Sequence, residues 1–138
     1  MARSTERIGF IEYDQVGMTV HQMINRDQAN GIGVVFVQDI ASRRLKDLPD
    51  DLVLQDLGDF DSRDADLVVE MAHADVTRQW GTSILAKTDY LFISVTALAN
   101  HDLEQDIQQP THQYGTRAFI PHGGVAGMDA LLATRDVW

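Results

Sequence analysis

The stretch Ile8-Gly9-Phe10-Ile11-Glu12-Tyr13-Asp14-Gln15-Val16-Gly17 decides how the rest of this chain is read. Apolar residues run to Ile11, a polar turn follows, and from Val16 the pattern turns helical. Val16, Val20, Met23 and Ile24 share one face of that helix, which is predicted over residues 16–26. A strand feeding a helix through a short turn is how a βαβ unit begins. In many such units the turn reads Gly-x-Gly-x-x-Gly, because bare backbone lets a diphosphate approach the start of the helix. Here it reads Glu-x-Asp-x-x-Gly: Gly17 holds the third position, and Glu12 and Asp14 stand in the first two.

Outward from that turn, short apolar runs alternate with helical patterns. Strands are predicted at residues 7–11, 33–38, 52–54, 66–70, 90–94 and 117–120. Several are unbroken apolar runs, such as Val34-Val35-Phe36-Val37, which suits strands buried on both faces of a parallel sheet. A second helix over 75–87 sets Val76, Trp80 and Ile84 at i, i+4 steps. A third begins near His101 and is expected to end or kink at Pro110, and a last one opens at Gly123-Gly124. This alternation predicts an α/β fold, a three-layer, doubly wound, Rossmann-like parallel sheet of about six strands in the order 3-2-1-4-5-6.

The chain has 138 residues, a length that suits one domain with a proper core. A formal charge of −10 argues against nucleic acid as a partner, since a phosphate backbone calls for a basic surface. No cysteine is present, which removes disulfides, thiol nucleophiles and thiolate-bound zinc. No apolar run reaches membrane-spanning length and no leader pattern is visible, so no membrane partner and a cytoplasmic location are expected. His21, His101 and His112 read as surface residues of helices, and Trp80 as a packing anchor.

The segments RIGFI (7–11), VVFVQD (34–39), DLVVEMAHADVTRQWGTSIL (66–85), SVTALANHDLE (94–104) and IPHGGVAGMDAL (120–131) follow one another in a telling order. Together they resemble the N-terminal NAD(P)-binding domain of the L-aspartate dehydrogenase family, including the animal aspartate dehydrogenase domain-containing proteins. The resemblance implies the Rossmann fold and a dehydrogenase ancestry. It also implies that a family chain continues past this point into a substrate-binding domain, which carries the catalytic histidine and much of the oligomer interface. Residues 1–138 are accordingly expected to form one domain without that second half, as a homodimer or docked to another subunit.

Two acids in a glycine turn change what the turn can hold. A carboxylate about 5 Å from a phosphate charge costs about 3 kcal/mol at an effective dielectric near 20. Two would cost roughly 5 kcal/mol, more than three orders of magnitude in affinity. Loss of ordinary NAD(P) binding is therefore expected, with no cofactor and no metal. The crevice beyond the strand ends gathers Glu12, Asp14, His73 and His122 as candidate acid–base residues, with Glu70, Ser94 and Thr96 as candidate ligand contacts. The leading expectation is a small amine-bearing or amino-acid-derived ligand held there, with its transformation by acid–base catalysis without a cofactor as a further step. The alternative is an NAD-binding oxidoreductase component acting on amino acids and completed by another chain. It would use Gly17, Asp39 on the adenosine ribose, and the helix start at Gly123 and Gly124. A non-catalytic interaction domain is the third possibility.

Overall fold

The computed structural model describes residues 5–27 and 31–121. In chain order the elements are β1 (Glu6–Ile11), α1 (Gln15–Arg26), β2 (Ile32–Gln38), β3 (Leu67–Glu70), α2 (Ala74–Leu85), β4 (Asp89–Phe92), α3 (His101–Tyr114) and β5 (Ala118–Phe119). The five strands form one sheet in the order β2-β1-β3-β4-β5, every pair parallel.

The predicted strand at 52–54 is reduced to a single bridge from Val53 to Val37, on the outer side of β2. Val37 donates to the Leu52 carbonyl at 2.7 Å and Leu54 donates to the Val37 carbonyl at 2.9 Å. Its place is the one the predicted order assigns. Its shortness has a local cause: three apolar residues lie between Asp50-Asp51 and Gln55-Asp56, and strands disfavour Asp. Among the described residues the sheet proper thus has five strands.

Side chains alternate between the faces of each strand and build two cores. Ile11, Phe36, Val68, Tyr90 and Phe92 pack with Ile84, Leu85 and Ile107 on the α2–α3 side. Phe10, Val37 and Met71 pack with Tyr13 and Leu45 on the other, where Val20 and Ile24 of α1 close over them. Trp80 packs against the first core, as an anchor should. The β1–β2 ladder skips a residue between Ile8 and Gly9, and the ring of Phe36 lies on Gly9. A Cβ at Gly9 would fall 2.0 Å from that ring, so no other residue fits there.

Two expectations are corrected. Of the end or kink expected at Pro110, the end does not occur: helix α3 runs through it to Tyr114 and closes on Gly115 in the left-handed conformation. Pro110 removes one hydrogen bond near the end of the helix, and its buried ring offsets part of that loss. His21 is not a surface residue: it is 7% exposed, packs edge-on to Phe10, and shares a 2.8 Å hydrogen bond with the Tyr13 hydroxyl. The predicted last helix, with Gly123 and Gly124 at its start, lies outside the described residues.

Burial holds the His21 imidazole below its ordinary pKa. The unfolded chain therefore takes up a proton near pH 6.5 that the folded chain refuses. This contribution is fully present above about pH 6.5 and is lost as pH falls towards the lower folded value. Urea unfolding between pH 7.5 and 5 should show stability falling with acidity, and His21→Gln should flatten that slope. An unchanged slope in the variant would contradict the assignment.

Candidate functional site

The crevice forms where the strands end. At the first crossover Glu12 has φ +76°, a left-handed conformation that suits glycine and costs an L residue about 1–2 kcal/mol. The turn has kept its glycine geometry with a glutamate in it. Gly17 explains why: a Cβ there would lie 2.7 Å from the Glu12 carbonyl oxygen, so helix α1 starts in contact with the turn.

Asp14 adopts an extended conformation that needs no glycine and serves as the N-cap of α1. Its Oδ1 accepts from the backbone N–H of Val16 at 2.9 Å and of Gly17 at 3.3 Å. These are the donors that an anion at the start of this helix would use. A carboxylate of the chain itself sits on them.

The other acids are also partnered. Asp39, at the end of β2, turns inward, with its side chain 0% exposed. Its Oδ2 accepts from the Tyr13 N–H at 2.9 Å and from Arg44 at 3.1 Å, and its Oδ1 accepts from the Ala41 N–H at 2.6 Å. Burial alone would raise the Asp39 pKa, but these N–H donors and the guanidinium overcome it and hold the carboxyl below its usual value. Arg44 donates through the same nitrogen to Glu12 Oε1 at 3.2 Å. One cation thus bridges the two loops that follow β1 and β2.

Glu70 is fully buried at the end of β3. Its Oε1 accepts from the Ala72 N–H at 2.6 Å and from the Ser94 hydroxyl at 3.0 Å, and the Ser94 N–H points to Oε2 at 3.4 Å. Burial raises its pKa, and the hydrogen bonds from Ser94 and Ala72 only partly counter this. Glu70 and Ser94 are thus joined as a brace between the loops after β3 and β4. Thr96 stands exposed on the short 3-10 turn Val95–Ala99.

His73 caps α2, with its Nδ1 accepting from the Asp75 N–H at 3.3 Å. The same Nδ1 lies 3.5 Å from the Asp75 carboxylate, and the side chain is solvent-facing. Glu12 and His73 line one small cavity of about 70 Å³, together with the apolar side chains of Ile11, Ile40, Ala72 and Val76. A larger groove of about 400 Å³ runs between α3 and β5, and none of the candidate residues lines it. Among the described residues no three His, Asp or Glu side chains converge so as to hold a metal ion, and no helix is long and apolar enough to cross a membrane. His122, Gly123 and Gly124 lie outside the described residues.

The candidate set therefore divides into four places. Asp14 caps α1, Glu12 and His73 share a cavity, Glu70 and Ser94 form a buried brace, and Thr96 stands apart. Arg44 escaped the sequence reading, because no periodicity or motif ties it to residues that are close only in space. Two arginines just after an acid at a strand end were the available signal.

Residues 15–121 match the family described as the homoserine dehydrogenase, NAD binding domain. The chain belongs to this NAD-binding family. The zebrafish (Danio rerio) aspartate dehydrogenase domain-containing protein is 33% identical over 138 residues, 99% of this chain and 50% of its own length. The crystal structure of aspartate dehydrogenase from Thermotoga maritima superposes with a TM-score of 0.74 at 22% identity, covering 95% of this chain and 52% of that one. A dehydrogenase solved with NADH and UDP-GlcNAcA reaches a TM-score of 0.78 at 12% identity, covering 98% and 40%. This NAD-binding domain is thus aspartate dehydrogenase-like, and it spans about half the length of the zebrafish relative.

The loop chemistry gives an ordered expectation for stability. Glu12→Gly should be more stable than Glu12→Ala by about 1 kcal/mol, because both lose the partly solvated pair with Arg44 and only glycine releases the strain. Asp14→Ala should cost about 1 kcal/mol, and Asp14→Ser much less, since serine still caps. Chemical denaturation measures all four variants. Equal stability of the Gly and Ala variants at position 12 would show that the turn is not strained.

Proposed function

We propose that this aspartate dehydrogenase-like domain no longer holds NAD(P) in the ordinary way and instead binds a small amine-bearing ligand in the cavity beside Glu12 and His73. One observation carries this reading: the Asp14 carboxylate occupies the Val16 and Gly17 amides at the start of α1. An arriving diphosphate must displace that cap, at about 1 kcal/mol, and then face the displaced charge, at about 3 kcal/mol for a separation near 5 Å. Together these correspond to roughly three orders of magnitude in affinity. Asp39 adds to the closure, because both of its oxygens are committed to the protein rather than turned towards a ribose.

What the crevice retains suits an amine. Glu12 gives one carboxylate oxygen to Arg44, and its other oxygen has no partner among the described residues. His73 brings an imidazole whose Nδ1 meets the Asp75 backbone N–H at 3.3 Å and the Asp75 carboxylate at 3.5 Å. A carboxylate and an imidazole on one cavity can anchor an ammonium group and exchange its proton, so acid–base turnover without a cofactor falls within this proposal. Ile40, at 94% exposure, and Ile93 and Val95 stand bare at the same end of the sheet, which suits docking to a second copy or another subunit.

The second reading is an NAD(P)-binding component of an amino-acid oxidoreductase completed by another chain. It is favoured by membership of an NAD-binding family. Fluorescence titration with NADH separates the two. The native chain should show no saturable binding up to about 1 mM, while the double variant Glu12→Gly, Asp14→Gly should bind two to three orders of magnitude more tightly. Micromolar binding by the native chain would establish the second reading in place of the first.

A further inference from the structure

One face of the sheet loses its cover towards β5. The parallel registers align Val37, Phe10, Val69, Leu91 and Phe119 in one row across the strands. On the side that α1 covers, Val37 and Phe10 are buried. Further along the same row Val69 and Leu91 are half-buried, and Phe119 is 38% exposed. The neighbouring row, on the opposite face, behaves differently: α2 and α3 bury Val68 and Tyr90 completely. A parallel sheet is ordinarily covered on both faces. The described residues leave Leu91 and Phe119 without that second layer.

We infer that residues 122–138, which lie outside the described residues, dock on this face of β4 and β5, setting Val125, Met128, Leu131 and Leu132 against Leu91 and Phe119. Those four positions recur at the three- and four-residue steps of one helix face. The dimensions agree. A helix is about 10 Å across and neighbouring strands are about 4.8 Å apart, so one helix covers two strands. Residues 125–136 in helical form run about 18 Å, against about 13 Å for β4. Pro121, Gly123 and Gly124 stand between β5 and the apolar pattern, and such residues suit a turn that brings the chain back over its own strand. The groove between α3 and β5 is the competing seat. The sheet beneath it is already covered, since Tyr90 and Phe92 are fully buried, and Glu104, Gln108 and Thr111 give its wall a polar lining.

The chain has no cysteine, so Ala130→Cys carries a single nitroxide label, on the side of the helical pattern opposite the apolar stripe. In the full chain the label should remove most of the amide signal of Leu91 and Phe119, compared with the reduced label, and should spare Gln108 and Thr111 in α3. A mixture of nitrogen-15 native chain with spin-labelled chain of natural isotope content should show no such loss. Loss at Gln108 and Thr111 instead would seat the segment in the groove. Loss in the mixture would give the face to a second copy, and no loss at any amide would leave the face without this segment. Each of these three outcomes overturns the inference. Thermal unfolding gives an independent measure that needs no label. Leu131→Gln, in the stripe, should lower Tm by about 5 °C, and Ala130→Gln by only about 1 °C. Equal losses would overturn the assigned stripe.

Discussion

The hydrogen bonds from the first amides of α1 to the Asp14 carboxylate govern the rest of the crevice. A helix start offers unpaired N–H groups and the positive end of a dipole, and something must satisfy them. In a glycine turn that something can come from outside, as a diphosphate. With aspartate in the second glycine position the Val16 and Gly17 donors are met by the chain's own carboxylate, and the helix gains a cap. The third glycine still does its older task, since Gly17 lets the helix start against the Glu12 carbonyl. The scaffold of an NAD-binding family is thus built around a helix start that the Asp14 carboxylate caps.

The neighbouring acids follow the same logic. A chain with a formal charge of −10 gathers Glu12, Asp39 and Glu70 at one end of its sheet, where mutual repulsion would loosen the loops. Arg44 bridges Glu12 and Asp39, backbone N–H groups receive Asp39, and Ser94 with the Ala72 amide receives Glu70. These contacts tie the loop after β1 to that after β2, and the loop after β3 to that after β4. The carboxylates therefore act mostly as braces. Of these three described carboxylates, Glu12 alone faces a cavity with an oxygen to spare, which is why the ligand reading centres on it and not on the whole acidic set.

Much of the fold was legible because its signals are local. Unbroken apolar runs marked β2 and β3 as doubly covered strands, and the alternation of periods fixed the parallel order. The short stretch Leu52–Leu54 read as a strand because apolar content says nothing about how many rungs a ladder will form. Pro110 read as an end or a kink because propensity does not register a buried ring near the end of a helix. The site was less legible. Glu12 and Asp14 stood out against a glycine pattern, and His73 against its loop, but which acids face solvent depends on partners distant in sequence. Asp39 finds Tyr13, Glu70 finds Ser94, and Arg44 finds Glu12 only once the sheet has formed. His21 read as exposed for the same reason, since the Tyr13 hydroxyl that buries it comes from the turn and not from its own helix.

The most direct test of the filled seat is to follow the backbone amide resonances of Val16 and Gly17 in a two-dimensional nitrogen–proton NMR spectrum while NAD+ is added to millimolar concentration. With the Asp14 carboxylate holding these donors, both resonances should stay where they are. A saturable movement of the two together would show a diphosphate taking the helix start, and would contradict the account.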